Sequence, residues 1–495
     1  MVNSLSMAIK SVKQLLSVLL IITVTSCHFK SDTPESMTEG QEVVNPFVEN
    51  SVDRDLDDIM ADGKLKALII YSSTSYFLYR GQAMGFEYEL LNMLAEHLDL
   101  ELELVVSKDL DSEFEVLNRG DVDLIAHGMT ITNQRKWEVD FTEYLYLTKQ
   151  VLVQKKPDNF QHITWSALQK QLIHDPIELI NDTVSIRRNS AYYERMMSLS
   201  NEIGGTIHID TLDSKLSTAE IIGMVADGKI KYTIADENLA KINASYYPNL
   251  KIDVPVSLNQ RIAWVTRKKS PKFRAVINNW ILSVRNGETY NVIYNKFFKN
   301  KRTFKSRVRS AYYSLNNNQI SEYDDLIKKY ADEIGWDWRL IAAQVFQESQ
   351  FDPGANSWAG AIGLMQVMPE TAEALGIQDI TDPEESIRGG IDYLNFLYER
   401  FSDIPDSLHR IKFTLASYNC GYEHVRDAQK LADEKGLDRL FWEDHVEKMI
   451  LALSLPINYN KPSINYGYVR GSEPVNYIKD IFEHYENYKQ LLSLE

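Results

Sequence analysis

One glutamate, Glu348, stands where a carboxyl group could act as an acid. It follows Val345 by three residues and Ile341 by seven, so on a helix it projects from the face that these apolar side chains bury. A carboxylate held among apolar side chains is costly to ionise, and its pKa rises until it can keep a proton near neutral pH. A general acid needs this protonation state, and the sequence therefore predicts acid catalysis at Glu348.

The residues around Glu348 predict the elements that hold it. Asp337 has the side chain of an N-cap and predicts a helix that begins immediately after it. The run Asp352–Gly354 has the composition of a turn, which ends that helix and reverses the chain. Gly360 and Gly363 then allow the backbone to run close to whatever lies in the cleft. The sequence thus predicts a helix, a turn and a glycine-loosened loop around one carboxyl group.

This segment resembles the family 1 lytic transglycosylases, whose catalytic domain has a goose-type lysozyme fold. Three motifs carry the resemblance, and they occur in the family's order. They are Glu348 and Ser349 with Ser357, GLMQ at 363–366 and PETA at 369–372; then ASYNCG at 416–421; then the closing segment 473–478, which includes Tyr477.

The catalytic motifs offer a single carboxyl group, and the resemblance implies a reaction in which one suffices. No cofactor is expected, and no metal site is predicted because no paired His or Cys occurs at ligand spacing. Glu348 would protonate the oxygen that links N-acetylmuramic acid to N-acetylglucosamine in peptidoglycan. It would then take a proton from the C6 hydroxyl of the muramic acid, which leaves a 1,6-anhydro ring. The residues implied to bind the glycan strand are Ser357, Met365, Gln366, Tyr418, Asn419 and Tyr477.

The N-terminus predicts export and lipid attachment. Lys10 and Lys13 precede an apolar run at 15–24, and small residues then lead to Cys27. The run is too short for a spanning helix and fits a secretory signal. Residues 24–27 look like a bacterial lipobox, so we predict a signal peptide at 1–27, acylation of Cys27 and a disordered tether at 28–53. An uncleaved anchor is the alternative. We expect a periplasmic protein, lipid-anchored to the outer membrane.

The region 54–300 predicts an α/β domain. Short apolar runs alternate with helical segments, such as a strand at 65–71 and a helix at 88–98. Two strands, near 146–154 and 261–266, are expected to cross between two lobes, with the second lobe at about 155–260. A helical domain at 321–495 follows a basic linker at 301–320. The predicted fold class is α/β plus all-α.

The α/β region resembles the family 3 extracellular solute-binding proteins, which are two-lobed receptors for amino acids. The matching runs are GFEYEL at 85–90, GDVD at 120–123 and GMTITNQR at 128–135. The resemblance implies that Thr130 and Arg135 hold a ligand's α-carboxylate and that Asp236 holds its α-ammonium, which suits their charges. Tyr76 or Phe77 would supply an apolar wall.

Each of these charged residues also has a simpler explanation. Arg135 can form a surface ion pair with Glu138, and Asp236 can cap the helix that follows it. The basic run 296–309 is either a solvated linker or a contact for an acidic domain or an anionic wall polymer.

Composition excludes some classes of function. The net charge is −17, which argues against a nucleic-acid partner. Residues 321–495 hold 16 Lys and Arg against 31 Asp and Glu, so the acidity lies mainly in the helical domain. Three functions remain: a lytic transglycosylase modulated by an amino acid or muropeptide, a lipid-anchored amino-acid receptor with an inactive appendage, and a hydrolytic muramidase.

The lipobox gives the first testable prediction. A Cys27→Ser protein should no longer be acylated and should fractionate away from membranes, because acyl chains on Cys27 are the predicted anchor. Membrane fractionation followed by a salt wash measures this. A variant that stays on the membrane after the wash would show that another segment anchors the chain.

Overall fold

The structure is a computed structural model that describes residues 51–107, 111–308, 310, 313–314 and 319–492. The predicted signal peptide, Cys27 and residues 28–50 of the predicted tether lie outside these ranges. The predicted fold class is confirmed, since a two-lobed α/β region precedes a region built from helices.

The described residues of the α/β region form twelve strands. They are β1 Lys64–Ile70, β2 Phe77–Tyr79, β3 Gln82–Met84, β4 Glu101–Ser107, β5 Leu124–Thr130, β6 Asp140–Thr148, β7 Gln150–Lys155, β8 Thr183–Arg187, β9 His208–Leu212, β10 Tyr232–Asp236, β11 Leu250–Pro255 and β12 Gln260–Thr266.

The helices of this region include a 3₁₀ turn at Pro176–Leu179 and a π turn at Asn295–Lys299. The α-helices are α1 Leu56–Asp62, α2 Phe86–Leu98, α3 Glu113–Arg119, α4 Arg135–Glu138, α5 Trp165–Gln169, α6 Ala191–Glu202, α7 Thr218–Asp227, α8 Glu237–Tyr246, α9 Pro271–Val284, α10 Glu288–Tyr294 and α11 Lys301–Val308.

The first lobe is built on a five-stranded sheet with the order β4-β1-β5-β12-β6. Strand β1 is parallel to β4 and β5, whereas β12 is antiparallel to β5 and β6. The carboxyl ends of β1 and β5 therefore lie side by side, where α/β sheets bind ligands. The loop 72–75 follows β1 at this edge.

Gly85 fixes that loop against the start of α2. A Cβ at Gly85 would lie 1.8 Å from the carbonyl oxygen of Ser75, so only glycine allows this approach. The Phe86 amide also donates a hydrogen bond to the Thr74 carbonyl (2.6 Å). Glu87, one residue further along α2, is thereby held beside the serine-rich loop.

The second lobe has a separate three-stranded antiparallel sheet with the order β10-β7-β11, together with the parallel pair β8-β9. The chain enters this lobe between β6 and β7 and leaves it between β11 and β12, close to the crossings that the sequence predicts. The lobe's sheet begins at Gln150, slightly before the predicted start at about 155.

The C-terminal region is built from helices, with α13 (Trp338–Ser349) at its centre. They are α12 Asp324–Glu333, α13 Trp338–Ser349, α14 Pro369–Ala374, α15 Pro383–Arg400, α16 Ser407–Cys420, α17 Tyr422–Glu434, α18 Glu447–Ala452, α19 Pro456–Tyr459 and α20 Ser472–Leu492, with a kinked turn at Trp442–Val446.

Helix α13 is the centre of this region. Every residue from Leu340 to Phe346 is buried, so the helix is enclosed on all sides rather than along one stripe. The Asp337 side chain accepts a hydrogen bond from the Arg339 amide (3.0 Å), which is the predicted N-cap. Helix α20 packs along α13 and continues to the first lobe.

One continuous apolar core joins the first lobe to the helical region, and it includes Phe77 and Met84 together with Phe346, Phe351 and Tyr488. Four hydrogen bonds between described residues connect α20 to the first lobe. They run from Tyr76 Oη to Asn487 Oδ1 (2.8 Å), from Tyr488 Oη to Gly81 O (2.8 Å), from Gln490 Nε2 to Leu104 O (2.6 Å) and from Tyr88 Oη to Glu483 Oε1 (3.4 Å).

The basic segment is not the fully solvated linker that is one of its two predicted explanations. Most of the basic run 296–309 forms helix α11, which is also the first part of the predicted linker at 301–320. Within this helix Phe304 and Arg307 are buried, while Lys301 and Arg302 are exposed. The Arg307 guanidinium lies over the rings of Phe77 and Phe297. Across the described ranges, no helix is both long enough and apolar enough to cross a membrane.

Candidate active site

Glu348 lies in the last turn of α13, and its carboxyl group is mostly enclosed, with one side reached by solvent. Burial raises the pKa of this carboxyl group to about 7. The Tyr477 hydroxyl donates a short hydrogen bond to Glu348 Oε1 and acts in the opposite direction, because it stabilises the ionised form. The carboxyl group is therefore poised to hold or release a proton near neutral pH.

Two tyrosines stand beside this carboxyl group. Burial and the Glu348 charge hold the pKa of both Tyr418 and Tyr477 well above its usual range, so both phenols remain hydrogen donors. The Tyr418 hydroxyl donates to the carbonyl of Met365 (2.8 Å), which ties helix α16 to the GLMQ loop. Gln344, one turn before Glu348 and fully buried, lies next to Tyr477.

The loop after Glu348 is held in a narrow set of conformations. Gly363 has φ +83°, and a Cβ there would lie 2.3 Å from the carbonyl oxygen of Ile380, so no other residue fits. Gln366 also has positive φ, and its side-chain amide donates to the carbonyls of Ala355 (3.0 Å) and Gly363 (2.8 Å). The Ser349 hydroxyl donates to the Leu364 carbonyl (2.8 Å), which fastens this loop to α13.

The implied sugar contacts therefore divide into exposed groups and supporting groups. Asn419 is exposed at the end of α16, and Ser357 and Tyr418 are partly exposed. The Ser357 hydroxyl accepts a hydrogen bond from the Ala361 amide (2.9 Å), so it also closes its own turn.

The prediction that the Met365 side chain binds the glycan strand is not met. It is fully buried and packs against Gly390, where an added Cβ would lie 2.5 Å from Met365 Cβ. Its side chain cannot reach a glycan, and its contribution to the site is the carbonyl that Tyr418 contacts.

A second site lies between the two lobes of the α/β region, around a cavity of about 90 Å³. Residues from both lobes line it. Those from the first lobe include Ser72, Ser73, Thr74, Ser75, Glu87, Thr130, Arg135 and Tyr146, and those from the second include Arg187, Tyr192, Lys215, Thr218 and Asp236. Of the four predicted ligand contacts, Thr130, Arg135 and Asp236 line this cavity.

Arg135 and Asp236 do not make the contacts that the simpler explanations require, which are an ion pair with Glu138 and a helix cap. The Arg135 guanidinium donates to the carbonyls of Thr130 (3.1 Å) and, across the lobes, of Asn189 (3.3 Å). Asp236 is at the N-cap position of α8 but makes no capping hydrogen bond with its side chain. Burial raises the pKa of Asp236 to about 7, although Tyr192, Arg187 and Arg135 act in the opposite direction.

The prediction that Tyr76 forms a wall of the cavity is not met. Tyr76 is fully buried, it is not among the residues that line the cavity, and its hydroxyl reaches Asn487 in α20. The aromatic surface of the cavity comes instead from Tyr71, Tyr146 and Tyr192.

Sequence reasoning missed Glu87, Arg187 and Tyr192 as cavity residues. Arg187 is the last residue of strand β8, and Tyr192 is the second residue of helix α6. A charged and an aromatic residue at a strand-to-helix connection were therefore the signal that could have identified them. Glu87 lies inside the matched run GFEYEL, but nothing local distinguishes it from Glu89.

Two family models match the chain. They describe bacterial extracellular solute-binding proteins, family 3, over residues 68–300 and the transglycosylase SLT domain over residues 325–441. The chain is 36% identical over 435 residues to a "membrane-bound lytic murein transglycosylase F" of Desulfosudis oleivorans, covering 87% of this chain and 91% of that protein. The chain belongs to the membrane-bound lytic murein transglycosylase F family. It is therefore an enzyme of the lytic murein transglycosylase class.

The chain is also similar to a second relative and to solved structures. A Shewanella woodyi relative of the same name is 30% identical, with 94% of this chain and 91% of that protein covered. Among solved structures, the ancestral amino acid-binding protein AncCDT-1 is 24% identical (TM-score 0.39), with 49% of this transglycosylase and 98% of that protein covered. The substrate-binding protein AbpA of Streptococcus pneumoniae is 19% identical (TM-score 0.41), with 52% and 100% covered.

The hydrogen bond from Tyr477 gives the second prediction. In Tyr477→Phe the carboxylate loses its donor, so the pKa of Glu348 should rise further and the alkaline limb of the kcat/KM profile should move to higher pH. Tyr485→Phe is the matched control, because Tyr485 lies on the same helix and donates to Asp337 (2.9 Å). An unchanged limb in Tyr477→Phe would mean that the phenol does not tune Glu348.

Proposed function

We propose that this transglycosylase cleaves the β-1,4 bond between N-acetylmuramic acid and N-acetylglucosamine in peptidoglycan and leaves a 1,6-anhydro ring on the muramic acid. The observation that carries the proposal is the buried Glu348 carboxyl group with a pKa of about 7. Most glycosidases use two carboxyl groups. Among the described residues, the influences on the Glu348 pKa are burial and Tyr477, with no second carboxylate.

A single carboxyl group suffices when the substrate supplies the nucleophile. In the proposed reaction Glu348 gives its proton to the glycosidic oxygen as the bond to C1 breaks. The C6 hydroxyl of the same muramic acid forms the new bond to C1, and the Glu348 carboxylate takes the proton that this hydroxyl loses. Glu348 ends protonated, as it began, and no water is consumed.

Tyr477 supports both halves of this cycle. Its hydroxyl stabilises the carboxylate that exists between the two proton transfers, and without this donor burial alone would push the pKa higher. A pKa near the working pH suits a group that must act first as an acid and then as a base. Asn419, Tyr418 and Ser357, each at least partly exposed, are the proposed sugar contacts, and Gln366 is proposed to hold their loop.

We also infer that an amino acid or muropeptide in the cavity between the lobes modulates cleavage. Cross-lobe hydrogen bonds at the cavity mouth favour the closed arrangement, since Asp111 accepts from Asn189 (2.6 Å) and Ser214 (3.0 Å). Helix α20 contacts Glu348 through Tyr477, and through Asn487 it contacts Tyr76, which directly follows the cavity loop 72–75. Closure over a ligand can therefore bias the position of the helix that carries Tyr477.

The proposed location is the periplasmic face of the outer membrane, through acylated Cys27. The relatives are named membrane-bound, and the lipobox-like run at 24–27 supports attachment by lipid.

The third prediction tests the acid. Glu348→Gln should lower the cleavage of purified sacculi at least about a hundredfold, because the amide has the same shape but no acidic proton. The exposed Glu370→Gln is the matched control and should cleave normally. Mass spectrometry of the wild-type products separates the chemistries, since a hydrolytic muramidase adds one water and anhydro formation adds none. Normal cleavage by Glu348→Gln would exclude this role, and inactive wild type would favour the receptor alternative.

The fourth prediction tests modulation. A coupling of about 1 to 3 kcal/mol is typical, so a saturating muropeptide should change the cleavage rate several-fold or more in the wild type. Arg135→Ala should lose both muropeptide binding, measured by calorimetry, and the effect of ligand on the rate. Lys136→Ala, on the exposed side of the same helix, should keep both. If muropeptide binds the wild type and the rate does not change, the first domain only localises the enzyme.

A further inference from the structure

The cavity between the lobes contains a carboxyl group that the proposed ligand contacts leave unused. Glu87 lines the cavity from the first lobe and is only 2% exposed. Among the described residues, no group donates a hydrogen bond to its Oε2 atom. A buried polar atom without a partner is unusual and costs free energy, which points to a group that a ligand satisfies.

The charges around the cavity show what kind of group is missing. An α-amino acid places its carboxylate on Arg135 and its ammonium on Asp236, whose Oδ1 atom also lacks a partner. Glu87 then remains without a cation, since among the described residues no charged group lowers its pKa. A second ammonium group on the ligand would supply both the charge and the donor.

The surroundings leave Glu87 accessible from the cavity. A Cβ on Gly128 would lie 3.3 Å from Glu87 Oε1 and 2.9 Å from Tyr146 Oη, so a side chain at this position would cover both groups. Arg135, Asp236 and Glu87 all line this one cavity of about 90 Å³, so a single small ligand can contact all three charged groups.

We propose that the cavity binds a diamino acid, with its α-carboxylate on Arg135, its α-ammonium on Asp236 and its side-chain ammonium on Glu87. This rests on the proposed ligand-binding role of the first domain and names the chemical class of its ligand. The diamino acid is bound in its free form, because a peptide bond would remove one of the three charged groups that the cavity pairs.

Binding of a second cation has a proton signature. Burial raises the pKa of Glu87 to about 8 in the empty cavity, so the group is largely protonated at pH 7, and an ammonium group beside it favours the ionised form. Tyr146 and Tyr290 face it from β6 and α10, and burial holds both phenols protonated at this pH. Asp236, Arg187 and Lys215 line the cavity from the second lobe, and Arg135 and His127 line it from the first. The His127 ring pairs with the buried Glu113 carboxyl group. Binding at pH 7 should therefore release a proton from Glu87.

The test is calorimetry on the full-length chain in detergent at pH 7, with L-lysine, L-ornithine, L-glutamine and L-norleucine as probes. Norleucine has the chain of lysine without the terminal amino group. We expect lysine or ornithine to bind roughly tenfold to a hundredfold more tightly than norleucine or glutamine, as for a buried charge-assisted hydrogen bond. Titrations in two buffers of different ionisation enthalpy should show the released proton.

Glu87→Gln should bind lysine no better than norleucine and should lose its share of the proton release, because the amide keeps the shape and lacks the charge. Glu96→Gln, exposed on the same helix, should behave as wild type. Thermal unfolding checks that both variants fold, and the comparison of lysine with norleucine on the wild type decides the proposal even if Glu87→Gln does not fold.

Three results would overturn the proposal. The first is equal affinity for lysine and norleucine or glutamine in the wild type, and the second is a preference for lysine that survives in folded Glu87→Gln. The third is no binding of any of the four probes. In the third case a purified muropeptide mixture separates the outcomes: if it binds, only the ligand class is wrong, and if it does not, ligand binding by the first domain fails as well.

Discussion

The burial of one carboxyl group at the end of an enclosed helix is the constraint on which the active site depends. Helix α13 is surrounded by apolar side chains, so Glu348 cannot be fully hydrated and its pKa rises. A buried carboxyl group that accepts no hydrogen bond would have a still higher pKa and would hold its proton too firmly to act as an acid. The Tyr477 hydroxyl limits the rise, and α20 must therefore lie where it does. The hydrogen bonds of Ser349 and Gln366 hold the loop that follows Glu348 in place.

Helix α20 connects the helical region to the first lobe. Near the start of α20, Tyr477 contacts the Glu348 carboxyl group. Near its end, Asn487 and Tyr488 contact the first lobe. Because these contacts are hydrogen bonds within one continuous core, the helix cannot shift at one end without a response at the other. The first lobe is thus connected to the Glu348 carboxyl group by packed structure.

The acids Asp123, Glu348 and Glu87 differ in their charge partners. Asp123 is fully buried but lies against the guanidinium groups of Arg54 (2.7 Å) and Arg267 (3.1 Å), so its charge is compensated within the first lobe. No cation pairs with Glu348 or Glu87 among the described residues, and burial raises the pKa of each. A carboxyl group with a perturbed pKa and no cationic partner is a candidate for contact with a substrate or a ligand.

The sequence by itself determined what depends on near neighbours. It gave the helix that begins after Asp337, the position of Glu348 on its buried face, the glycine loop and the alternation that makes the first region α/β. It placed Met365 and Tyr76 incorrectly, because each is buried by residues far along the chain, Met365 by Gly390 and Tyr76 by contacts that include Asn487. Only the tertiary structure brought Arg187 and Glu87 into one cavity and showed that Tyr477 touches Glu348 across 129 residues. Burial and charge pairing are set by contacts between distant residues, and local sequence patterns carry no measure of those contacts.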